Sequence, residues 1–176
     1  MLYAKKTKGE IIMNKKKRTV VVGRVCFFNG KILVADPAYE EDSSYVVKLD
    51  IVPGEYTYYA KIKQEGKTEL VSSLSIVNTQ TPLKQLHSDK LVGRIMVDVG
   101  YAGFFENKQD YSSDERWGAI GELLLAKSPA IVEAKPDNAF MCNGIITTAG
   151  DGDGIYGVYE LRDEQNRLCG YKLKFL

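Results

Sequence analysis

The chain of 176 residues has one histidine, His87, three cysteines and five prolines. A single histidine excludes a histidine-based catalytic triad and a multi-histidine metal centre. His87 sits in the polar stretch KQLHSDK and is expected as an exposed loop residue. Cys26, Cys142 and Cys169 are far apart and odd in number. That pattern argues against a disulfide framework or a paired-cysteine zinc site, and for reduced thiols in a cytoplasmic setting. Each lies in an apolar run, so burial is expected for all three. No apolar run reaches the length that spans a membrane, and no secretory leader pattern appears. There is no nucleophile elbow, GxGxxG turn or phosphate loop.

Charge is unevenly spread. Residues 1–18 hold seven basic side chains against Glu10, while residues 19–176 hold 17 basic and 22 acidic. The organisation expected is a basic, disordered N-terminal arm over 1–18 and a single mostly-β domain over 19–176. Nucleic acid is not an expected partner except through that arm, and no membrane partner is expected.

The body is rich in β-branched and aromatic residues, with eleven tyrosines. Thr19–Phe28 and Lys31–Ala35 flank Asn29-Gly30, which predicts a hairpin. Tyr45–Ile51, Glu55–Lys63 and Glu69–Val77 predict further strands joined by Pro53-Gly54 and by a turn at Gly66. Leu91–Val99 follows, then a turn or bulge at 100–103. Residues 113–127 predict one helix, capped by Ser112 or Ser113, burying Trp117 and Leu124, with Gly118 and Gly121 allowing close packing on the sheet. Ala139–Thr148, Tyr156–Arg162 and Leu168–Phe175 complete the strands. The fold class is mainly β, α+β by count of elements: an antiparallel meander or open barrel or sandwich with one packed helix.

The stretch Ala149–Tyr159, AGDGDGIYGVY, carries four glycines and two aspartates. Gly152 and Gly154 suit positive φ, and Asp153 with Tyr156 completes a tight acidic loop before a strand. Asp36, Asp98 and Asp153 each end a strand beside proline or glycine, and Glu106 follows Phe105. Together with Gly152, Gly154 and Tyr156, the three aspartates are the candidate ligand-binding residues. If Asp36, Asp98, Glu106 and Asp153 converge, they form a carboxylate cluster of the kind used in metal-dependent hydrolysis. The stronger expectation is that such aspartates fix turns, with no metal and no cofactor. Tyr39, Tyr45, Tyr101 and Tyr111 are candidates for a contact surface.

The segments GKILVADPAY, PGEYTYYAKIK, VDVGYAGFFE and AGDGDGIYGVYELRDEQNRLCGYKLKF occur in that order. From about Gly23 to Phe175 the chain resembles an uncharacterised bacterial and phage family, a domain of unknown function. It departs from that pattern at Glu106, where aspartate is usual, and at Gly157, where proline is usual. The resemblance implies a phage or mobile-element source and supplies no catalytic residues. The expected function is a small cytoplasmic binding protein that contacts a host protein or sequesters a small ligand. The alternative is the carboxylate-based hydrolase.

Overall fold

Tyr56, Tyr58, Ala60 and Ile62 occupy every second position of one strand and all are buried. A period of two places them on a single face of a pleated sheet, with Lys61 on the other. The computed structural model in which this is seen describes residues 17–88, 90–106, 114–125, 129–140 and 142–176, with 114–117 as backbone only. The arm up to residue 16, Tyr111, the capping serines and the Trp117 side chain lie outside the described residues.

The strand just named is β4, Gly54–Glu65, and it turns at Gly66 (φ 61°) into β5, Thr68–Asn78. Tyr58 then faces Ile76 and Ala60 faces Leu74 in register. With β1 (Lys17–Phe27), β6 (Leu91–Val97), β10 (Gly154–Arg162) and β11 (Leu168–Lys174) they form a six-stranded antiparallel sheet in the order β1-β4-β5-β11-β10-β6. A second antiparallel sheet has five strands. They are β2 (Lys31–Ala35), β3 (Val47–Asp50), β7 (Tyr101–Phe105), β8 (Ile131–Ala134) and β9 (Gly144–Thr148), in the order β3-β2-β7-β9-β8. The fold is therefore mainly β, as expected, in the sandwich form, and neither sheet closes on itself.

Alternation along β2 explains the layers. Ile32 and Val34 point into the space between the sheets, where they join Tyr58, Leu74, Ile76, Ile95, Phe104 and Ile145. Leu33 points the other way and joins Phe105, Phe140 and Ile146 beneath Ile120 and Leu124 of the helix α1, Asp114–Leu125. The helix thus covers the outer face of the five-stranded sheet. The outer face of the six-stranded sheet carries Lys61, Ser73, Ser75 and Lys172, with Leu83, Leu86 and Leu161 lying beside them.

Several expectations are corrected. Asn29-Gly30 does not join a hairpin: β1 pairs with β4, and β2 pairs with β3 and β7 in the other sheet. Phe27 and Ile32 are both fully buried, and a corner at Gly30 (φ 66°) lets them enter one core from opposite sheets. The segment 100–103 is mostly strand β7 rather than turn, and β8 forms between Pro129 and Pro136. Residues 139–143 precede β9 rather than belong to it. Lys17 and Arg18, which were expected in the arm, begin β1, where Arg18 pairs with Glu69. The helical glycines make no close packing: a Cβ at Gly118 or Gly121 would meet nothing within 4 Å. Cys142 and Cys169 are buried but Cys26 is exposed, because it lies opposite Glu55 near the end of an edge strand. β1 also carries a bulge between Val21 and Gly23.

Candidate functional site

Asp36 is fully buried at the end of β2. Its Oδ1 accepts the Ala38 N–H at 2.7 Å, and its Oδ2 accepts the N–H groups of Asp98 and Val99 at 2.7 and 3.0 Å. One carboxylate therefore ties the β2 end to the β6–β7 turn. Burial pushes its pKa above the usual carboxylate range, against the three donors that pull it down. Asp98 accepts the Tyr39 hydroxyl, and that bond pushes the Tyr39 phenol up to about 12. The Tyr39 and Tyr45 rings lie 5.0 Å apart beside it.

Pairing of Gly154 with Val97 brings Asp153 beside Asp98. Asp153 is exposed and makes no hydrogen bond or ion pair among the described residues. Its loop is held by Tyr156 instead. The Tyr156 hydroxyl donates to the carbonyls of Gly152 (2.8 Å) and Ala149 (3.2 Å), and its ring meets Phe175 edge-on at 5.2 Å. Gly152, at φ 111°, supplies the backbone conformation that this loop requires. Gly154 lets the Tyr156 ring approach to within 3.3 Å of where a Cβ would stand.

Glu106 lies elsewhere. Leu33 pairs with Phe105 and Ala35 with Gly103, so Glu106 falls beside Ile32 while Asp36 falls beside Ala102. Their backbones are on the order of 13 Å apart along the strands. The loop end thus gathers Asp36, Asp98 and Asp153, and Glu106 belongs to the opposite end. Among the described residues no group of three or more histidine, cysteine, aspartate or glutamate side chains is placed to hold a metal. Asp153→Asn is expected to leave the melting temperature within about 2 °C of wild type, as for other exposed positions. Calcium, magnesium and manganese are expected to leave it unmoved as well. A cation-induced rise that disappears in Asp153→Asn would reinstate the metal reading.

At the end that Glu106 occupies, the edges of the two sheets, β1 and β8, leave a cleft of about 470 Å³. Its walls include Arg24, Cys26, Phe28, Glu133, Lys135 and Asn143. Glu106 braces one wall: Oε1 accepts the Phe28 N–H at 3.1 Å and Oε2 accepts the Asn143 Nδ2–H at 2.8 Å. Asn138 shapes the other, accepting from the N–H groups of Lys135 and Phe140 and donating to the Glu133 carbonyl. Glu133 and Lys135 form an ion pair at 3.1 Å. Phe28 stands 72% exposed at the rim.

Tyr58 also lines this cleft, and only 1% of it is exposed. Its hydroxyl has no hydrogen-bond partner among the described residues. Burial pushes its pKa far above the ordinary value, and the charges of Glu133 and Glu106 add to the effect. A buried hydroxyl without a partner is uncommon and costly. A cleft with apolar and oppositely charged side chains in its walls and an unmet hydroxyl buried behind its lining suits a small polar ligand. This cleft is not legible in the sequence, because its residues come from segments around 24–28, 58 and 133–144. The alternation of Tyr56, Tyr58 and Ala60 was the available signal, since it already sends a phenol into the core. Comparison of the chain with protein-family models, curated proteins and solved structures gave no match in any of the three.

Proposed function

We propose that this protein is a binding protein, not a catalyst, and that it takes a small polar ligand in the cleft between β1 and β8. The observation that carries the proposal is the unpartnered Tyr58 hydroxyl in a cleft of ligand size. Arg24 and Lys135 suit an anionic group, Glu133 a cationic one, and Phe28 an apolar portion. A cytoplasmic setting and a phage or mobile-element source belong to the same proposal. The first is supported by the cysteine pattern and the second by the motif order alone. A host protein that inserts a polar side chain into the cleft is the other occupant compatible with this chemistry.

The test is Tyr58→Phe. Without ligand, the variant is expected to keep its stability or to gain up to about 1 kcal/mol, because it loses a buried hydroxyl that nothing satisfies. Thermal-shift titration of wild type with a panel of amino acids, nucleosides and sugar phosphates should find a stabilising class. For that class Tyr58→Phe should bind about 3- to 10-fold more weakly. A ligand-free loss of more than about 1 kcal/mol would mean the hydroxyl already has an internal partner, and the proposal would fall.

A further inference from the structure

The outer face of the six-stranded sheet has an order that the cleft does not explain. Register places Thr19, Lys61, Ser73, Lys174, Gly157 and Arg94 side by side across all six strands. The adjoining row on the same face reads Val21, Tyr59, Ser75, Lys172, Tyr159 and Leu91. At the strand spacing of a sheet each row is about 24 Å long. Four cations stand in the two rows, and neither row contains an acid. Lys61, Lys172, Lys174 and Arg94 make no ion pair among the described residues, whereas Arg18, Arg24, Lys31 and Lys48 elsewhere each do.

A cluster of like charges with no counter-charge is repulsive in the free protein. Burial first, and then the charges of Lys61 and Lys174, push the Lys172 pKa down. A hollow of about 190 Å³ alongside the rows gathers Lys17, Lys61, Lys172 and Lys174 around Ser73, together with Lys63, which pairs with Glu65. In the sequence, Lys17 directly follows the basic segment that holds Lys5, Lys6, Lys8, Lys15 and Lys16.

Two tyrosines share the row of Lys172: Tyr159 beside it, and Tyr59 on the far side of Ser75. Gly157 gives one of them its posture: a Cβ there would lie 2.7 Å from Tyr159 Cε2 and 2.9 Å from its hydroxyl. The Tyr159 ring therefore lies over the backbone of Gly157, between the cations of the neighbouring row. Flat aromatic rings beside an unpaired basic track are what successive bases and phosphates of a single strand require. An acidic peptide would use the cations and leave the rings idle. A duplex would present phosphates and no free base face.

We propose that single-stranded nucleic acid binds across this face, its phosphates along Lys61, Lys174 and Arg94 and its bases on Tyr59 and Tyr159. This surface is separate from the cleft, so the proposal stands or falls apart from the small-ligand reading.

The experiment is fluorescence anisotropy with a labelled twenty-nucleotide oligothymidylate, using the full chain over a salt series. Wild type should bind at low salt and lose affinity as salt rises. Lys61→Gln with Lys174→Gln should flatten the log–log salt slope by about 1.4, the single-strand value for two contacts. Tyr159→Ala should weaken binding at least about fivefold while leaving the slope unchanged, and Tyr159→Phe should bind as wild type. Replacing Lys5, Lys6 and Lys8 by glutamine should leave most of the affinity in place. The proposal is overturned by no binding at low salt, or by binding that only the arm variant abolishes. Equal or tighter binding of a duplex, of polyglutamate or of anionic lipid vesicles would overturn it too.

Discussion

Asp36→Ala is expected to lower the unfolding free energy by roughly 3–5 kcal/mol. The substitution takes from the N–H groups of Ala38, Asp98 and Val99 the one buried carboxylate that accepts from all three. It also releases the end of β2 from the β6–β7 turn, which carries Asp98 and faces the 149–154 loop. The Gly100 carbonyl accepts the Ala149 N–H at 2.9 Å, so disorder at one turn passes to the next. Urea unfolding is the measurement, and a loss under about 1 kcal/mol would show that the three donors find other acceptors. Asp36→Asn adds the pH dependence. Because burial raises the Asp36 pKa in the folded state, the carboxyl stabilises most when protonated, below its unfolded value. That contribution is lost as pH rises through the raised value. The stability gap between wild type and Asp36→Asn should therefore narrow as pH rises through the carboxylate range.

Gly103→Ala should be nearly as damaging, at roughly 3 kcal/mol or more. A Cβ on Gly103 would lie 2.0 Å from the Ile145 carbonyl oxygen and 2.9 Å from Ile146 Cα. These are backbone atoms of the paired strand β9, so no side-chain rotation relieves the clash. Gly144 answers from β9, where a Cβ would lie 2.4 Å from the Phe104 carbonyl oxygen. Opening the β7–β9 pair would split the five-stranded sheet down its middle and breach the apolar layers on both of its faces. Gly118→Ala is the control. It lies in α1 with open space around it and should gain about 0.5–1 kcal/mol from reduced chain entropy. A Gly103→Ala protein as stable as wild type would mean that the two strands can part without cost.

The legible parts of the fold were those decided locally. Alternation in β4 and the glycine turn at residue 66 are both short-range facts, and they gave the β4–β5 hairpin. Asn29-Gly30 misled because the same dipeptide serves a hairpin or a corner, and only long-range pairing decides between them. β1 found β4, some thirty residues on, instead of β2. Strands β7 and β8 escaped notice for opposite reasons. Glycine at 103 resembles a turn although it serves close strand approach, and β8 has only four residues between two prolines. The aspartates show the same limit. That Asp36 precedes proline marks a turn, but its bonds to Asp98 and Val99 cross more than sixty residues. Glu106 follows two phenylalanines in the sequence, and only the antiparallel pairing of β2 with β7 sends it away from the aspartates to brace the cleft.

The bulge in β1 has a consequence for assembly. A free sheet edge invites another strand to add to it, and the edges at β1 and β8 face each other across the seam. At Gly23, next to the bulge, the Glu133 carboxylate occupies the space where a side chain would stand, its Oε1 1.5 Å from a constructed Cβ. An irregular ladder on one side and an inward charge on the other spoil both templates. The sandwich is thereby kept from zipping into a barrel. The same two features are expected to disfavour a strand added by a neighbouring molecule, the step by which an even pair of edges would seed fibrils.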